Sequence, residues 1–303
     1  MAFAGRDVLH LAPGKGVTGV RTTGSPTVRR RELGTMLRRL RAEKGWTAEQ
    51  VADLLQISTS KVSRLETGHR GASALDIRRL CDVYEVDDVQ RQRMFELASE
   101  GKQRAWWQQG GLSYSIYVGL EAEAAAIRDY GLGFMPGLLQ TRDYARAIVR
   151  AAPLDWSPED IEQRVEWRMA RQELLFSDHP PRFEAVVDES VLLRVVGGPE
   201  VMHEQLERLL ELSHLPHVTL RVIPYGAGAL PAGNNKFIIL GFTQPSVPDV
   251  VFIEGLTGDL YLDEPTEVAV YETTFQMLVE LAATPEKTRD IIATVVAGRV
   301  RER

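Results

Sequence analysis

Hydrophobic residues recur every three or four positions from about Arg30 onward, and this spacing predicts a series of short helices. Leu33, Leu37 and Leu40 fall on one helical face, and the pattern ends at Gly45. The predicted helices begin near Arg30, after Thr47, at Ser58, at Ala74 and at Val89. Five short helices in so short a stretch predict a compact all-α head, which we place at residues 29–100. Residues 1–28 are rich in Gly, Thr and Pro without a sustained period, which predicts a flexible N-terminal arm.

Beyond residue 100 the pattern changes, because runs of β-branched residues now alternate with helical spacing. We expect strands over residues 183–187, 218–223, 236–242 and 250–253. We expect helices over residues 118–130, 144–151, 158–176, 199–215, 265–282 and 285–296. The predicted fold class is therefore multidomain: an all-α five-helix head followed by an α+β C-terminal domain over residues 101–303.

Charge divides along the same boundary. Residues 1–104 carry 19 Lys and Arg against 13 Asp and Glu, whereas the rest of the 303-residue chain carries 17 against 29. A basic head on an acidic body favours two separate tasks, and only the head favours a polyanion. The single cysteine, Cys81, and the lack of an apolar run of about 18 residues predict a cytoplasmic protein without membrane contact.

The segment from Thr47 to Gly68 has the layout of a helix-turn-helix. Ala52 is small where two helices would cross, Ile57 would plug the turn, and Val62 and Leu65 would dock the second helix. The outward face of that second helix would then carry small polar and basic side chains. Such a helix fits a major groove, so the predicted partner is double-stranded DNA.

These marks, together with the triplet Arg64-Leu65-Glu66, resemble the Cro/repressor-type (XRE) DNA-binding domain over residues 30–85. The resemblance implies that the side chains facing bases are Thr59, Ser60, Lys61 and Arg64. It places Thr67, Gly68, His69 and Arg70 near the DNA backbone. We add Ser58, at the helix start, and Arg38 as further contacts to the DNA backbone. For Arg38, a position on a solvated helix face is an equal alternative. It also implies a structural ion pair between Arg41 and Glu66. Ala48 replaces the glutamine that often grips a phosphate in this family, and we expect Gln50 to lie on the wrong face to replace it.

The body carries a second resemblance. Blocks such as Met135-Pro-Gly-Leu-Leu-Gln-Thr141 and Ile253-Glu-Gly-Leu-Thr-Gly-Asp259 are similar to the C-terminal domain of a large actinobacterial regulator family that joins an XRE head to an antitoxin-like body. The resemblance implies a transcriptional regulator whose body binds a small partner protein. An acidic body suits a basic partner protein better than a nucleic acid.

Several polar groups of the body admit two interpretations. Residues 136–141 form either a packed loop or part of a ligand cleft, and Arg168 and Arg171 either lie on a solvated or ion-paired helix face or are functional. Asp188 and Glu189 follow a predicted strand, where capping of the next helix competes with a site. The acidic group Glu254, Asp259, Asp263 and Glu264 is either a surface for a basic partner or a solvated edge.

Enzyme signals are weak. His203, His214 and His217 lack the spacing of a metal motif, and Ser115 and Ser190 lack a nucleophile-elbow context. We therefore expect no catalytic residue, no metal, no cofactor and no enzymatic activity. Three hypotheses stay open: a regulator controlled by a small protein, a one-component regulator that binds a small molecule, and an enzyme tethered to DNA. Because Cro-type heads act in pairs on half-sites about 34 Å apart, we expect a homodimer formed through the body.

Overall fold

The computed structural model describes residues 25–102, 115–152, 155–256 and 258–301. The head contains the helices α1 (Pro26–Glu43), α2 (Ala48–Leu55), α3 (Thr59–Glu66), α4 (Ala74–Tyr84) and α5 (Asp88–Glu100). The helix α1 begins at Pro26, before the predicted start near Arg30, because Ser25 Oγ accepts a hydrogen bond from Thr27 N and proline suits a first turn. The rest of the predicted arm, residues 1–24, lies outside the described residues.

The head has its own hydrophobic core. Leu37, Val51, Ile77 and Met94 are buried and bring α1, α2, α4 and α5 together. The helices α1 and α3 cross closely at Gly34, where an added Cβ would lie 2.3 Å from the carbonyl oxygen of Glu66. Only glycine allows this approach, which seats α3 on α1.

The body begins with α6 (Ser115–Glu121) and contains one mixed sheet. Its strands are β1 (Ala126–Gly131), β2 (Arg182–Asp188), β3 (Val218–Ile223), β4 (Phe237–Gly241), β5 (Val250–Ile253) and β6 (Leu260–Leu262). Its later helices are α7 (Arg142–Ala151), α8 (Pro158–Gln172), α9 (Ser190–Leu193), α10 (Pro199–Leu212), α11 (Pro265–Leu281) and α12 (Pro285–Arg301). The strand order is β3-β2-β1-β4-β5-β6, in which β1, β2 and β3 run parallel and the β1–β4, β4–β5 and β5–β6 pairs are antiparallel. A helical region followed by a mixed α and β domain agrees with the predicted α then α+β order.

The predicted helix over residues 118–130 is wrong in its second half. The structure has α6 up to Glu121 and then β1, whose Asp129 lies opposite Ala185 of β2 and Ile238 of β4. The alanine-rich segment 122–126 favours a helix locally, but β1 is paired on both sides and its Ile127 and Tyr130 are buried on opposite faces of the sheet. Tertiary pairing therefore overrides the local propensity.

Both faces of the sheet are covered. The side chains of Ile127 and Phe183 pack on one face with Leu206 of α10 and Ile292 of α12. On the other face Tyr130, Val186 and Phe237 join Phe275 and Leu278 of α11. The two covered faces explain why β4 and β5 have continuous apolar sequences.

The helix α1 joins the head to the body. Val28 is 1% exposed and belongs to the hydrophobic core of the body rather than to that of the head. One helical turn after Val28, Glu32 Oε1 accepts hydrogen bonds from Ser246 of the body and from Arg93 of α5. The N-terminal turns of α1 are therefore shared between the two parts of the chain.

Candidate DNA-binding surface

The turn between α2 and α3 is built by capping. Thr47 and Gln50 form a capping box, with Gln50 N donating to Thr47 Oγ1 at 3.2 Å and Thr47 N donating to Gln50 Oε1 at 2.8 Å. The helix α2 ends at Gln56, whose φ of 53° is left-handed, and Ile57 N donates to the carbonyl of Ala52. Ser58 then caps α3 by accepting from Lys61 N. Each such cap stabilises its helix by about 1 kcal/mol and fixes where α3 begins.

Gln50 is a residue whose role the sequence analysis missed. Its spacing from Thr47 is the signature of a capping box, in which a Gln or Glu three residues after a Ser or Thr returns to the cap backbone. The spacing of Thr47 and Gln50 in the sequence therefore carries the signal for this cap.

The inner face of α3 is fixed by packing and by one ion pair. Val62 and Leu65 are buried, as the motif requires. Arg41 Nε lies 2.7 Å from Glu66 Oε1, and Arg41 Nη2 lies 2.8 Å from Glu66 Oε2. The hydrogen bonds to Glu66 raise the pKa of Arg41 above its usual value. The structure thus brings Arg41 and Glu66 together as a two-pronged pair that ties α3 to α1.

The outer face of α3 is polar and open to solvent. Thr59, Ser60, Ser63 and Arg64 are exposed, and Arg64 Nε donates to the carbonyl of Ser60 one turn earlier. No element of the described chain covers this face. Hydroxyls and a guanidinium here are free to meet base edges, for which they provide donors and acceptors.

Lys61 is placed differently from its neighbours. Its Nζ lies 2.5 Å from Asp76 Oδ1, at the start of α4. Asp76 also caps α4 together with Ser73. Burial would raise the pKa of Asp76, but the hydrogen bonds from Lys61 and Ser73 outweigh it, so that the pKa lies below its usual value. A contact of Lys61 with DNA, which stays a prediction, requires this ion pair to open.

Four of the residues predicted to contact the DNA backbone, 67–70, lie in the loop after α3. The other two are Ser58, which caps the start of α3, and Arg38 on α1. Gly68 adopts a φ of 71° and packs against Arg31, leaving no room for a side chain. His69 Nδ1 lies 2.9 Å from Thr67 Oγ1, and Arg70 is exposed. Burial and the neighbouring Arg31 lower the pKa of His69, which favours a neutral imidazole near pH 7.

Arg38 faces the body instead of open solvent. Its Nη1 lies 3.0 Å from Asp263 Oδ1 and 2.7 Å from Glu264 Oε1, while its Nη2 donates to the carbonyl of Glu66 at 3.4 Å. A phosphate contact by Arg38 requires these ion pairs to open. The expected role of Arg38 stays a prediction.

Most of the candidate polar side chains of the body form hydrogen bonds within the fold. Gln140 Nε2 donates to Met135 O at 2.7 Å, Gln172 Nε2 donates to Gln140 O at 2.7 Å, and Gln205 Nε2 donates to Leu139 O at 2.8 Å. Thr141 caps α7, as its position predicts. The loop over residues 136–141 is thus pinned by side chains of α8 and α10, which favours the packing interpretation.

Arg171 forms the most deeply buried ion pair of the body. It holds both oxygens of Glu121, at 2.6 and 2.8 Å, while Tyr117 Oη donates to the same carboxylate. Burial would lower the pKa of Arg171, but Glu121 and Tyr117 outweigh it and the pKa lies above its usual value. Arg168 donates to Gln140 Oε1. Both arginines are therefore ion-paired or hydrogen-bonded within the fold.

The acidic candidates do not form one cluster. Asp188 Oδ1 accepts from Ser190 N at the start of α9, whereas the N-cap residue Glu189 makes no side-chain capping bond to α9 and its Oε2 accepts from Tyr225 N instead. Glu254 pairs with Lys236 at 2.6 Å, whereas Asp263 and Glu264 turn to the head. Among the residues that the structure describes, no group of His, Cys, Asp and Glu is placed to hold a metal ion, and no helix is long and apolar enough to cross a membrane.

The geometry of α2, the turn and α3 defines a helix-turn-helix protein, the class to which DNA-binding regulators belong. Comparison with known families agrees, because residues 32–94 match a family described as a helix-turn-helix domain. Residues 114–294, more than half of the chain, match the family described as "Domain of unknown function (DUF5753)", and the chain belongs to that family. No curated protein sequence matches the chain.

Proposed function

We propose that the protein is a sequence-specific transcriptional regulator of the Cro/repressor (XRE) type, which places α3 in the major groove of double-stranded DNA. The observation that carries the proposal is the exposed face of Thr59, Ser60 and Arg64 on a helix whose opposite face is clamped by Val62, Leu65 and the Arg41–Glu66 pair. A rigidly held helix places its side chains reproducibly against base edges.

Enrichment of genomic DNA fragments tests this function. The full chain, immobilised and mixed with sheared genomic DNA from its source cell, is expected to retain fragments that share a short common sequence. The Arg64→Ala variant is expected to lose that enrichment while it keeps its fold by circular dichroism. Retention of fragments without any common sequence, by both proteins, would contradict sequence-specific binding.

The proposal extends to the body, which we assign to control by a small basic protein, in keeping with its antitoxin-like sequence blocks. Its support is the acidic balance of residues 105–303 and an exposed apolar stripe on α11. Val270, Met277 and Leu281 are 62%, 48% and 37% exposed and lie within one narrow face of that helix. An apolar stripe beside acidic side chains fits a basic, partly apolar partner.

A binding experiment with a matched control tests the partner. Met277→Lys places a cation on the stripe, and Ala293→Lys places the same cation on the exposed face of α12. A small protein of positive net charge is expected to co-purify from the source cell with the wild type and with Ala293→Lys, but not with Met277→Lys. Equal recovery with all three proteins would exclude the α11 stripe as its binding surface.

As the alternative, a small-molecule ligand of the body regulates DNA binding. We propose no catalytic activity under either hypothesis. The observation that favours a ligand is the buried carboxyl of Asp129, which lies near the Glu121–Arg171 pair of the body. A thermal-shift screen of metabolites separates the two, since only the alternative predicts a stabilising small molecule.

We also propose that the regulator acts as a homodimer, because two Cro-type heads engage half-sites about 34 Å apart. Light scattering of the full chain is expected to give twice the chain mass of 33.9 kDa. A mass equal to one chain, with and without a two-half-site duplex, would exclude the dimer.

A further inference from the structure

The segment between β6 and α11 touches the head at the edge of the proposed DNA surface. We call Asp263 and Glu264 the acidic corner. Asp263 Oδ2 lies 2.5 Å from Arg31 Nη2, and both carboxylates hold Arg38. Next to them, the ring of Tyr261 packs edge-on against His69, with ring centroids 5.9 Å apart. Two of the six predicted backbone-contacting residues, Arg38 and His69, are therefore in contact with the body.

The position of Arg38 makes this contact relevant to DNA. Its guanidinium donates to the carbonyl of Glu66, the last residue of α3, so it lies beside the C-terminal end of the proposed recognition helix. One oxygen of Asp263 and one of Glu264 lie 3.0 and 2.7 Å from its Nη1, and these charge-assisted bonds are of the kind that phosphate oxygens accept from arginine. The body thus offers its own anions to a cation at the edge of the proposed DNA surface.

The acidic corner has a fixed part and an exchangeable part. Arg31 is 3% exposed in its side chain and holds Asp263, while Val28 in the core of the body keeps α1 docked. Glu264 is 53% exposed and bonds to Arg38 at the solvent edge. Exposed ion pairs contribute little free energy, so the Glu264 contact can open without any separation of head and body.

We infer that the acidic corner is an autoinhibitory contact, in which Asp263 and Glu264 pair with Arg38 in the DNA-free chain and the phosphate backbone of a duplex must displace Glu264 to reach it. This inference rests on the proposed DNA-binding function. The body thereby weakens the electrostatic part of DNA binding while it leaves the base-facing residues Thr59, Ser60 and Arg64 exposed. Any factor that pulls the corner away from α1 strengthens binding.

The test compares Glu264→Gln with Glu267→Gln in the full chain. Both variants remove one negative charge from the exposed start of α11, but only Glu264 bonds to Arg38. The probe is a fluorescein-labelled duplex of 30 mixed-sequence base pairs, because phosphate contacts do not depend on sequence. Fluorescence anisotropy is recorded at several potassium chloride concentrations, and circular dichroism checks that both variants are folded.

Glu264→Gln is expected to bind the duplex about two- to fivefold more tightly than the wild type, the range that an exposed ion pair accounts for. Arg38, which then keeps only Asp263 as an anionic partner, gains a phosphate more readily, and this gain is expected to steepen the slope of log affinity against log salt by up to about 0.9. Glu267→Gln is expected to change the affinity and the salt slope much less than Glu264→Gln does. In the Arg38→Gln background the effect of Glu264→Gln is expected to vanish.

Each other outcome has a distinct meaning. If the wild type binds the duplex but Glu264→Gln behaves like Glu267→Gln, the autoinhibitory contact is refuted and the DNA-binding function stands. The same holds if the gain from Glu264→Gln survives in the Arg38→Gln background, because the effect would then not pass through Arg38. If no protein of the set binds the duplex even at low salt, both the contact and the proposed function fail.

Discussion

The head and the body use polar side chains in opposite ways. On α3 the side chains of Thr59, Ser60 and Arg64 point to solvent, while the inner face is held by apolar packing. In the body, Gln140, Gln172 and other polar groups turn inward and bond to backbone or to each other. The polar side chains named in the body therefore serve to fix its fold, whereas those on the outer face of α3 are left open to solvent.

The largest expected effect falls on the body. Glu121→Ala leaves the Arg171 guanidinium buried without its carboxylate, so we expect the free energy of unfolding to fall by about 3–5 kcal/mol. Urea denaturation followed by tryptophan fluorescence measures this loss. A loss below about 1 kcal/mol would mean that the body does not depend on its internal charges and would remove the contrast with the head.

Asp129 gives the body a pH dependence opposite in sign to the one that the lowered pKa of Asp76 gives the head. Burial raises the pKa of Asp129 to about 7, with Lys236, Glu121, Arg171 and Glu254 as the charged groups around it. The folded chain therefore keeps a proton that the unfolded chain releases near pH 4, and this contribution to stability is lost as the pH rises toward 7.

Asp129→Asn removes this titration. Relative to the wild type, the variant is expected to gain up to about 4 kcal/mol of stability between pH 4 and pH 8, since one pKa unit corresponds to about 1.4 kcal/mol. Urea denaturation at both pH values measures the gain. A stability difference that is the same at both pH values would contradict a buried, proton-binding Asp129.

In the head, the Arg41–Glu66 pair is expected to be the main polar contribution to stability. Glu66→Ala leaves Arg41 with only part of its partners and should lower the free energy of unfolding of the head by about 3 kcal/mol. Glu43→Ala is the control, because Glu43 forms only an exposed pair with Arg39 and should cost at most about 0.5 kcal/mol. Equal thermal melting curves for the two variants would remove the Arg41–Glu66 pair from the account.

The smallest expected effect belongs to Lys61. Because Lys61 must first leave Asp76, Lys61→Ala should weaken specific DNA binding by less than about 1 kcal/mol, less than Arg64→Ala does. Competition anisotropy with the duplex recovered from genomic DNA compares the two variants. A larger loss for Lys61→Ala would show that the α3–α4 ion pair opens at no cost and would reverse their order.

Sequence reasoning succeeded where the determining forces are local. The helix starts near Thr47 and Ser58, the small Ala52 and the buried Val62 and Leu65 follow from spacing within one short segment. It failed for β1, because the alanine-rich sequence before it favours a helix and only pairing with β2 and β4 decides otherwise. The three-residue edge strand β6 carries too short a pattern to be recognised.

Contacts between distant parts of the chain were beyond sequence reasoning. Arg38 and Asp263 are separated by 225 positions, and nothing in the spacing around either residue indicates the other. The same is true of Val28, whose place in the core of the body depends on how α1 docks. Gly34 is partly predictable, since a glycine inside a helix indicates that another element packs closely there but does not identify that element.

The central claim is that the exposed face of α3 recognises bases. Its most direct test measures the affinity of Arg64→Ala and Arg78→Ala for the recovered duplex and for single-base variants of it, since both arginines are exposed but only Arg64 lies on α3. Arg64→Ala is expected to lose about 1–3 kcal/mol of specific binding and to lose its preference at one base position, while Arg78→Ala keeps that preference. Unchanged affinity and unchanged base preference in Arg64→Ala would contradict the claim.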